Sequence, residues 1–114
     1  NVRNGPGLNH LLIYKILVKG YPLKELSEFD NWKKIQDFSG RIGWVSKSQL
    51  SSQRYVISVM PDQYLYKFPT YSSKKIAFVK NESVLKIIKE NEDWLLLESD
   101  DVKGWLTKKS VWGG

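Results

Sequence analysis

The amino-acid sequence predicts an all-β protein built from two tandem copies of a small β-barrel. Three observations lead to this prediction. The apolar runs are short and rich in Val, Ile, Leu, Tyr and Trp, no helical periodicity interrupts them, and the two halves of the chain repeat one another. A chain of 114 residues is long enough for one average domain or for two very small ones. The repeat decides in favour of two.

Tryptophans and glycines anchor the repeat at nearly constant spacing. Trp32 recurs as Trp94, an offset of 62 residues, and Gly43-Trp44 recurs as Gly104-Trp105, an offset of 61. Pro6 recurs as Pro69, an offset of 63. Each unit therefore has about 50 to 60 residues, close to the lower size limit for an independent hydrophobic core.

In the first unit, five short strands are predicted from the apolar runs and the turn residues between them. The strands are Asn1–Arg3, Ile13–Val18, Leu23–Glu28, Trp32–Gln36 and Arg41–Val45. Turns fall at Asp30-Asn31 and at residues 38–40, because Asn, Asp and Gly tolerate the backbone angles of tight turns. Ser46 and Thr107 are predicted to cap a short helical turn after the last strand of each unit.

The domain boundaries follow from the repeat. We predict a first barrel at residues 1–59, with its first strand clipped at Asn1, a linker at 60–63, and a second, divergent barrel at 64–114. Residues 54–59 have the pattern of a further strand, which either completes the first unit or joins the two. The short linker restricts the geometry of the two barrels.

Charge and composition narrow the classes of partner. The formal net charge is +6, but both signs are interspersed: residues 1–50 carry eight basic and four acidic groups, and residues 51–114 carry ten and eight. A solvated basic surface explains this charge, and an anionic partner is the alternative. Without a dense basic stripe, we predict no nucleic-acid partner. No apolar stretch is longer than a strand, so no transmembrane segment is predicted.

No catalytic residues, cofactor or metal site are predicted. The chain has no cysteine, and its one histidine, His10, lies in a predicted loop without a recognisable partner motif. Glu98, Asp100 and Asp101 fall in a predicted hairpin turn and lack the spacing of a calcium loop. The residues therefore favour a binding protein over an enzyme.

Several motifs carry a resemblance to a known family. Residues 1–7 (Asn-Val-Arg-Asn-Gly-Pro-Gly), followed by Lys19-Gly20, Trp32 and Gly43-Trp44-Val45, resemble the bacterial SH3-like domain. The whole chain is similar to an exported bacterial family with two such domains and a terminal Trp-Gly pair, here Trp112-Gly113. In the second unit, residues 64–69 (Tyr-Leu-Tyr-Lys-Phe-Pro) replace the first motif and keep only its proline.

The resemblance implies two tandem small SH3-like β-barrels with a binding or targeting role in the bacterial cell envelope. It implies a periplasmic or secreted location with the export signal removed. The expected ligand is cell-wall peptide, that is peptidoglycan, or another extended peptide bound by the loop and aromatic rim of the first barrel. The alternative is a structural or protein–protein interaction module without a wall ligand, whose mark would be a flat apolar patch around Tyr64, Tyr66 and Phe68 in place of a cleft.

The two rim tryptophans are predicted to lie on the outer faces of their strands. Trp32 lies three residues from Ile35, and Trp94 three from Leu97, so each pair points to opposite faces of a regular strand. With the aliphatic residues in the core, the tryptophans either cover the barrel end or line a peptide groove. The tryptophans after the glycines, at positions 44 and 105, are predicted to be core or half-buried.

The candidate binding residues come from both units. They are Arg3, Asn4, Pro6, Asn9, Tyr14, Trp32, Tyr66, Tyr71 and Trp94. In the first unit Arg3 either anchors the loop through backbone carbonyls or meets a ligand carboxylate. In the second unit Tyr66, Tyr71 and Trp94 are predicted to form the equivalent surface, suited to protein contacts or to the interface between the barrels.

Overall fold

The computed structural model describes residues 2–8, 12–14, 22–50 and 53–114. It is all-β, with two antiparallel sheets and two single 3₁₀ turns at Lys47–Gln49 and Lys108–Ser110. The strands are β1 (Val2–Arg3), β2 (Leu12–Tyr14), β3 (Leu23–Phe29), β4 (Trp32–Asp37), β5 (Ile42–Ser46), β6 (Tyr55–Ser58), β7 (Gln63–Tyr66), β8 (Lys75–Val79), β9 (Val84–Glu90), β10 (Trp94–Ser99), β11 (Val102–Thr107) and β12 (Val111–Gly113).

The two sheets follow the two repeats. One has five strands in the order β2-β1-β5-β4-β3, and the other has seven in the order β12-β6-β9-β10-β11-β7-β8. The predicted all-β fold is therefore confirmed, while closure of each sheet into a barrel stays a prediction. Of the predicted second strand, residues 15–18 lie outside the described residues, as do Asn1, Asn9 and His10.

The tight turns form where the sequence places residues that tolerate positive φ. Asp30 (φ 54°) connects β3 to β4, and Gly40 (φ 95°) lies between β4 and β5. Asp100 and Asp101, with φ of 50° and 64°, connect β10 to β11. Asn and Asp tolerate this conformation better than most residues, which explains the choice of turn residues.

A short 3₁₀ turn follows Ser46 and Thr107 as predicted, but the prediction that their side chains cap these turns is wrong. Neither side chain bonds a backbone N–H of the 3₁₀ turn that follows it. Each hydroxyl instead pairs with another hydroxyl, on Ser48 at 2.9 Å and on Ser110 at 2.6 Å. The backbone amides of Lys47 and Lys108, which open the two turns, donate to carbonyls of the preceding hairpin loops. The hairpins thus satisfy donors that a cap would otherwise serve.

The strand before the linker belongs to the second sheet, although the predicted boundaries include it in the first unit. Tyr55, Val56 and Ile57 of β6 pair with Lys86, Leu85 and Val84 of β9, and on its other side β6 pairs with β12. Val56 is fully buried in the second core. We propose that the units divide before Tyr55.

Alternating side chains build a core on the inner side of each sheet. In the first unit Val2, Ile35 and Val45 are buried together. The second core contains Val56, Leu65, Val79, Leu85, Leu95, Leu97 and Leu106. Gly104 allows β7 to approach β11, because a Cβ at this position would lie 2.5 Å from the Leu65 Cβ. A side chain at position 104 would therefore force the strands apart.

The C-terminal strand also contacts the first unit. The Trp112 ring lies edge-on to Phe38, with ring centroids 5.6 Å apart. The amide of Gly114 donates to the Leu23 carbonyl at 2.9 Å. Gly113 has a φ of 97°, and a Cβ there would lie 3.3 Å from the same carbonyl oxygen. The terminal Trp-Gly pair thus connects the second sheet to β3.

Candidate functional site

Equivalent strand pairings place equivalent positions of the two units in the same local frame. Arg3 of β1 pairs with Trp44 of β5, and Tyr66 of β7 pairs with Trp105 of β11. Because Trp44 and Trp105 are repeat partners, Tyr66 occupies the position of Arg3. The backbone pairing is repeated in both units even where the side chains at equivalent positions differ.

The rim tryptophans lie on the face opposite the core, as their spacing predicts. Trp32 is half-buried whereas Ile35 is fully buried. Trp94 is likewise half-buried, and Leu97 is fully buried. Each tryptophan begins its strand directly after a hairpin loop, so its ring lies at the end of the sheet. Trp44 and Trp105 are half-buried, which is one of the two predicted environments.

In the second unit, the three predicted aromatic residues form one cluster. The rings of Tyr71 and Trp94 are 4.9 Å apart between centroids, and Tyr66 lies 5.5 Å from Tyr71 and 6.0 Å from Trp94, all edge-to-face. Tyr66 is 8% exposed and Tyr71 is 59% exposed. Tyr66 therefore supports the cluster from below, and the other two rings present a surface to solvent.

An open groove of about 670 Å³ runs beside this cluster. Tyr71 and Trp94 form part of its wall, next to the turn residues Pro69 and Thr70. The remaining lining comes from the loop before β10 and from the end of β11 with its 3₁₀ turn: Glu92, Asp93, Thr107, Lys108 and Lys109. We call this the second-unit groove. An open groove with an aromatic wall suits an extended ligand.

Hydrogen bonds fix the two loops that border the second-unit groove. Asn91 accepts from the amides of Asp93 and Trp94 at 3.1 and 2.8 Å through its side-chain oxygen. On the opposite side, the Ser73 hydroxyl donates to the carbonyl of Phe68 at 3.0 Å. The groove wall is therefore set by local turn chemistry.

An ion network positions one basic residue of the groove. The Glu90 carboxylate contacts the Arg54 guanidinium at 3.0 Å and the Lys108 ammonium at 3.2 Å. The hydrogen bond from Arg54, followed by that from Lys108, holds the pKa of Glu90 below its ordinary value of 4.5. The Lys108 ammonium is thus held toward Glu90, while Lys109 carries a second positive charge at the groove.

The first-unit candidates are less fully described. Arg3 donates from Nη1 to the Leu8 carbonyl at 3.3 Å, which matches the anchoring interpretation. Asn4 is exposed and Pro6 is half-buried. Asn9 lies outside the described residues, and for Tyr14 the backbone pairing with Val2 is described. These residues therefore stay predictions as ligand contacts.

A buried carboxylate at the end of β4 distinguishes the first unit. Asp37 is fully buried and accepts hydrogen bonds from the Ser39 hydroxyl at 2.7 Å, the Arg41 amide at 2.9 Å and the Arg41 Nε at 2.7 Å. Burial raises the pKa of Asp37, but these bonds together outweigh burial and hold it below 3.8. Asp37 therefore stabilises the turn as a charged group.

The sequence interpretation missed the polar half of the groove. Glu92, Asp93, Lys108 and Lys109 were not predicted from the sequence to be site residues. The available signal was the repeat itself, since Asp93 immediately precedes the rim Trp94 just as Asn31 precedes Trp32. Among the described residues there is no group of three or more His, Cys, Asp or Glu side chains that could hold a metal ion. No helix in the same residues is long and apolar enough to span a membrane.

Sequence comparisons identify the class of protein. Residues 1–51 and 61–113 match two sequence families, each described as a bacterial SH3 domain. The chain belongs to the bacterial SH3 domain family and carries two of its domains in tandem. The family resemblance of the sequence is thereby confirmed.

The chain is also similar to one part of a larger bacterial protein. The chain is 29% identical over 125 aligned residues to the Bacillus subtilis (strain 168) protein named "Putative N-acetylmuramoyl-L-alanine amidase YrvJ". The match covers all of this chain but 24% of that protein. The similarity therefore concerns one part of the longer relative.

Proposed function

We propose that this chain is a non-catalytic targeting module of the bacterial cell envelope that binds cell-wall peptide or another extended peptide. The observation that carries the proposal is the second-unit groove, where Tyr71 and Trp94 form an exposed aromatic wall next to charged residues of both signs. The family and the amidase relative support an extracytoplasmic location, periplasmic or secreted, because the name of that relative is that of a cell-wall amidase.

The groove combines the features that extended peptides need. Aromatic rings contact apolar side chains and fix the peptide backbone between them. Glu92 and Asp93 offer carboxylates to a peptide amino group, and Lys109 offers an ammonium to a peptide carboxylate. Because the rings of the cluster already contact one another, the aromatic wall is largely preorganised before a ligand arrives.

The first unit offers Trp32 at the position equivalent to Trp94. The prediction that the loop and rim of the first unit bind the ligand is kept as the competing location for the same function. A matched pair of substitutions, Trp32→Ala and Trp94→Ala, separates the two locations, because each removes one half-buried ring from an equivalent strand start.

Co-sedimentation of the purified chain with isolated peptidoglycan sacculi, across a salt series, tests the proposal. We expect salt-tolerant binding that Trp94→Ala weakens by about tenfold or more, as for an aromatic residue at the centre of an interface. Trp32→Ala should then leave binding largely intact. Loss with Trp32→Ala alone would locate the site in the first unit. Absence of sedimentation, or binding that vanishes at moderate salt, would contradict the wall-binding function.

A further inference from the structure

β8 is an outermost strand of the seven-stranded sheet. β8 pairs with β7 along one side, and among the described residues no strand pairs along its other side. Such an edge presents backbone N–H and C=O groups that can receive an additional strand. β8 is five residues long, enough for several main-chain hydrogen bonds with an incoming segment.

Apolar side chains extend from the outer side of this strand. Ile76 is 43% exposed and Phe78 is 57% exposed, whereas Val79 is buried in the core. Phe78 packs edge-to-face on Tyr64 of β7, with ring centroids 5.5 Å apart. We call the surface formed by Tyr64, Ile76 and Phe78 the β8 face. The predicted patch around Tyr64, Tyr66 and Phe68 differs from it, because Tyr66 is buried beneath the groove cluster.

The β8 face lies in a segment of the chain whose charged residues are all basic. Residues 63–81 contain four lysines and no acidic residue. These lysines, at positions 67, 74, 75 and 80, are exposed, and none forms a salt bridge with another described residue. The Lys75 ammonium lies 4.4 Å from the centroid of the Tyr64 ring, so its charge borders the apolar surface directly.

We propose that the β8 face binds an acidic, extended segment of a partner protein, which adds to β8 as a further strand. A protein segment satisfies three features of the surface at once: its backbone pairs with the free edge, its apolar side chains cover Ile76 and Phe78, and its carboxylates meet the lysines. A polyphosphate or a nucleic acid would meet only the lysines. A second copy of β8 would bring like charges together, which disfavours self-pairing at this edge.

This surface is separate from the second-unit groove. None of the groove-lining residues belongs to the β8 face. The proposal therefore goes beyond wall-peptide binding and does not depend on it, and sacculus binding should be unchanged by substitutions at Phe78.

The chain contains a matched control edge at the end of the five-stranded sheet. β3 also lies at the end of its sheet, and its Phe29 is 62% exposed. There the charges are mixed, and both glutamates of the strand form salt bridges: Glu25 with Lys33, and Glu28 with Lys47. Phe29→Ser thus removes an exposed edge phenylalanine without touching the basic segment.

The test uses a fluorescein-labelled nine-residue peptide of alternating valine and glutamate, measured by fluorescence anisotropy against the whole chain. We expect saturable binding that Phe78→Ser weakens by about tenfold or more, with Phe29→Ser within about twofold of the parent. Lys75→Glu, which keeps the apolar surface, should weaken binding as well. Circular dichroism checks that each variant is folded. The same peptide with every backbone amide methylated should not bind, because it cannot pair with an edge.

Each alternative occupant has its own signature. Equal binding of polyglutamate or of a poly(glycerol phosphate) chain would identify a charge-only surface and overturn the proposal. Concentration-dependent self-association in analytical ultracentrifugation that Phe78→Ser abolishes would assign the face to a second copy and likewise overturn it. Failure of the valine–glutamate peptide to bind, or equal loss with Phe29→Ser, would also contradict it.

Discussion

The two units use different contacts to hold two equivalent loops, the loop after β1 and the loop after β7. In the first unit Arg3 donates a hydrogen bond to the backbone of Leu8, five residues later. In the second unit the equivalent Tyr66 contacts the ring of Tyr71, again five residues later, and both contact Trp94. The loop is thus held by a polar side chain in the first unit and by an aromatic side chain in the second.

The difference shows how a repeated fold can diverge at its binding surface. The sheet pairings, the glycine before each second tryptophan and the 3₁₀ turns are common to both units and hold the frame. The loop anchor is free to change because it lies on the outer face. In the second unit this change joins the loop to the rim tryptophan, and the second-unit groove is the result.

The comparison predicts that the aromatic anchor contributes more stability than the polar one. Tyr66→Ala removes a buried ring and should destabilise the protein by about 3–5 kcal/mol, as for other buried aromatic truncations. Arg3→Ala removes a hydrogen bond and should cost about 1 kcal/mol. Urea unfolding of both variants at neutral pH measures the difference. If both variants lost the same free energy of unfolding, the aromatic anchor would contribute no more stability than the polar one.

The two units also differ in the residue at the end of an equivalent strand, β4 in the first unit and β10 in the second. The first unit has the buried carboxylate of Asp37, and the repeat aligns Asp37 with Ser99, 62 residues later. Because the pKa of Asp37 is held below 3.8, its contribution to stability is present above that value and is lost as the pH falls through the lower, folded-state pKa. The first unit should therefore be the more acid-sensitive of the two at this position.

The variant Asp37→Asn tests this contrast, with an expected loss of stability smaller than that of Tyr66→Ala. At pH 6 the variant should be less stable than the parent by about 1.5–3 kcal/mol, the range for hydrogen bonds to a charged group. The difference should shrink as the pH falls below 3.8, because the parent then loses its charge as well. Chemical unfolding at pH 6 and near pH 2.5 measures both values. A difference that stays constant with pH would show that the charge of Asp37 does not stabilise the fold.

The fold and part of the site were predictable because they rest on short-range patterns. The spacing of Trp32 and Ile35, and of Trp94 and Leu97, gave the face of each side chain, since strand side chains alternate strictly. The tandem repeat predicted that Tyr66, Tyr71 and Trp94 would share one surface. Turn residues such as Asp30 and Gly40 fixed the hairpins through their tolerance of positive φ.

Other features depend on long-range pairing that no local pattern reveals. The sequence of β6 suits a strand in either unit, and its partners in β9 and β12 lie about 30 and 55 residues further along. The polar wall of the groove likewise comes from loops far apart in the chain. The contact of Trp112 with Phe38 joins the last strand of the second unit to the turn between β4 and β5, and the terminal Trp-Gly pair alone did not indicate this partner.

The central claim, that the second-unit groove binds cell-wall peptide, is tested most directly by NMR of the five tryptophan indole N–H groups. Each indole gives one signal, and single Trp→Phe variants assign them. Addition of a soluble muropeptide should shift the Trp94 signal in a saturable manner and leave Trp32 and Trp112 nearly unchanged. A shift confined to Trp32 would locate the site on the first unit, and no shift at any tryptophan would contradict peptide binding at the aromatic rim altogether.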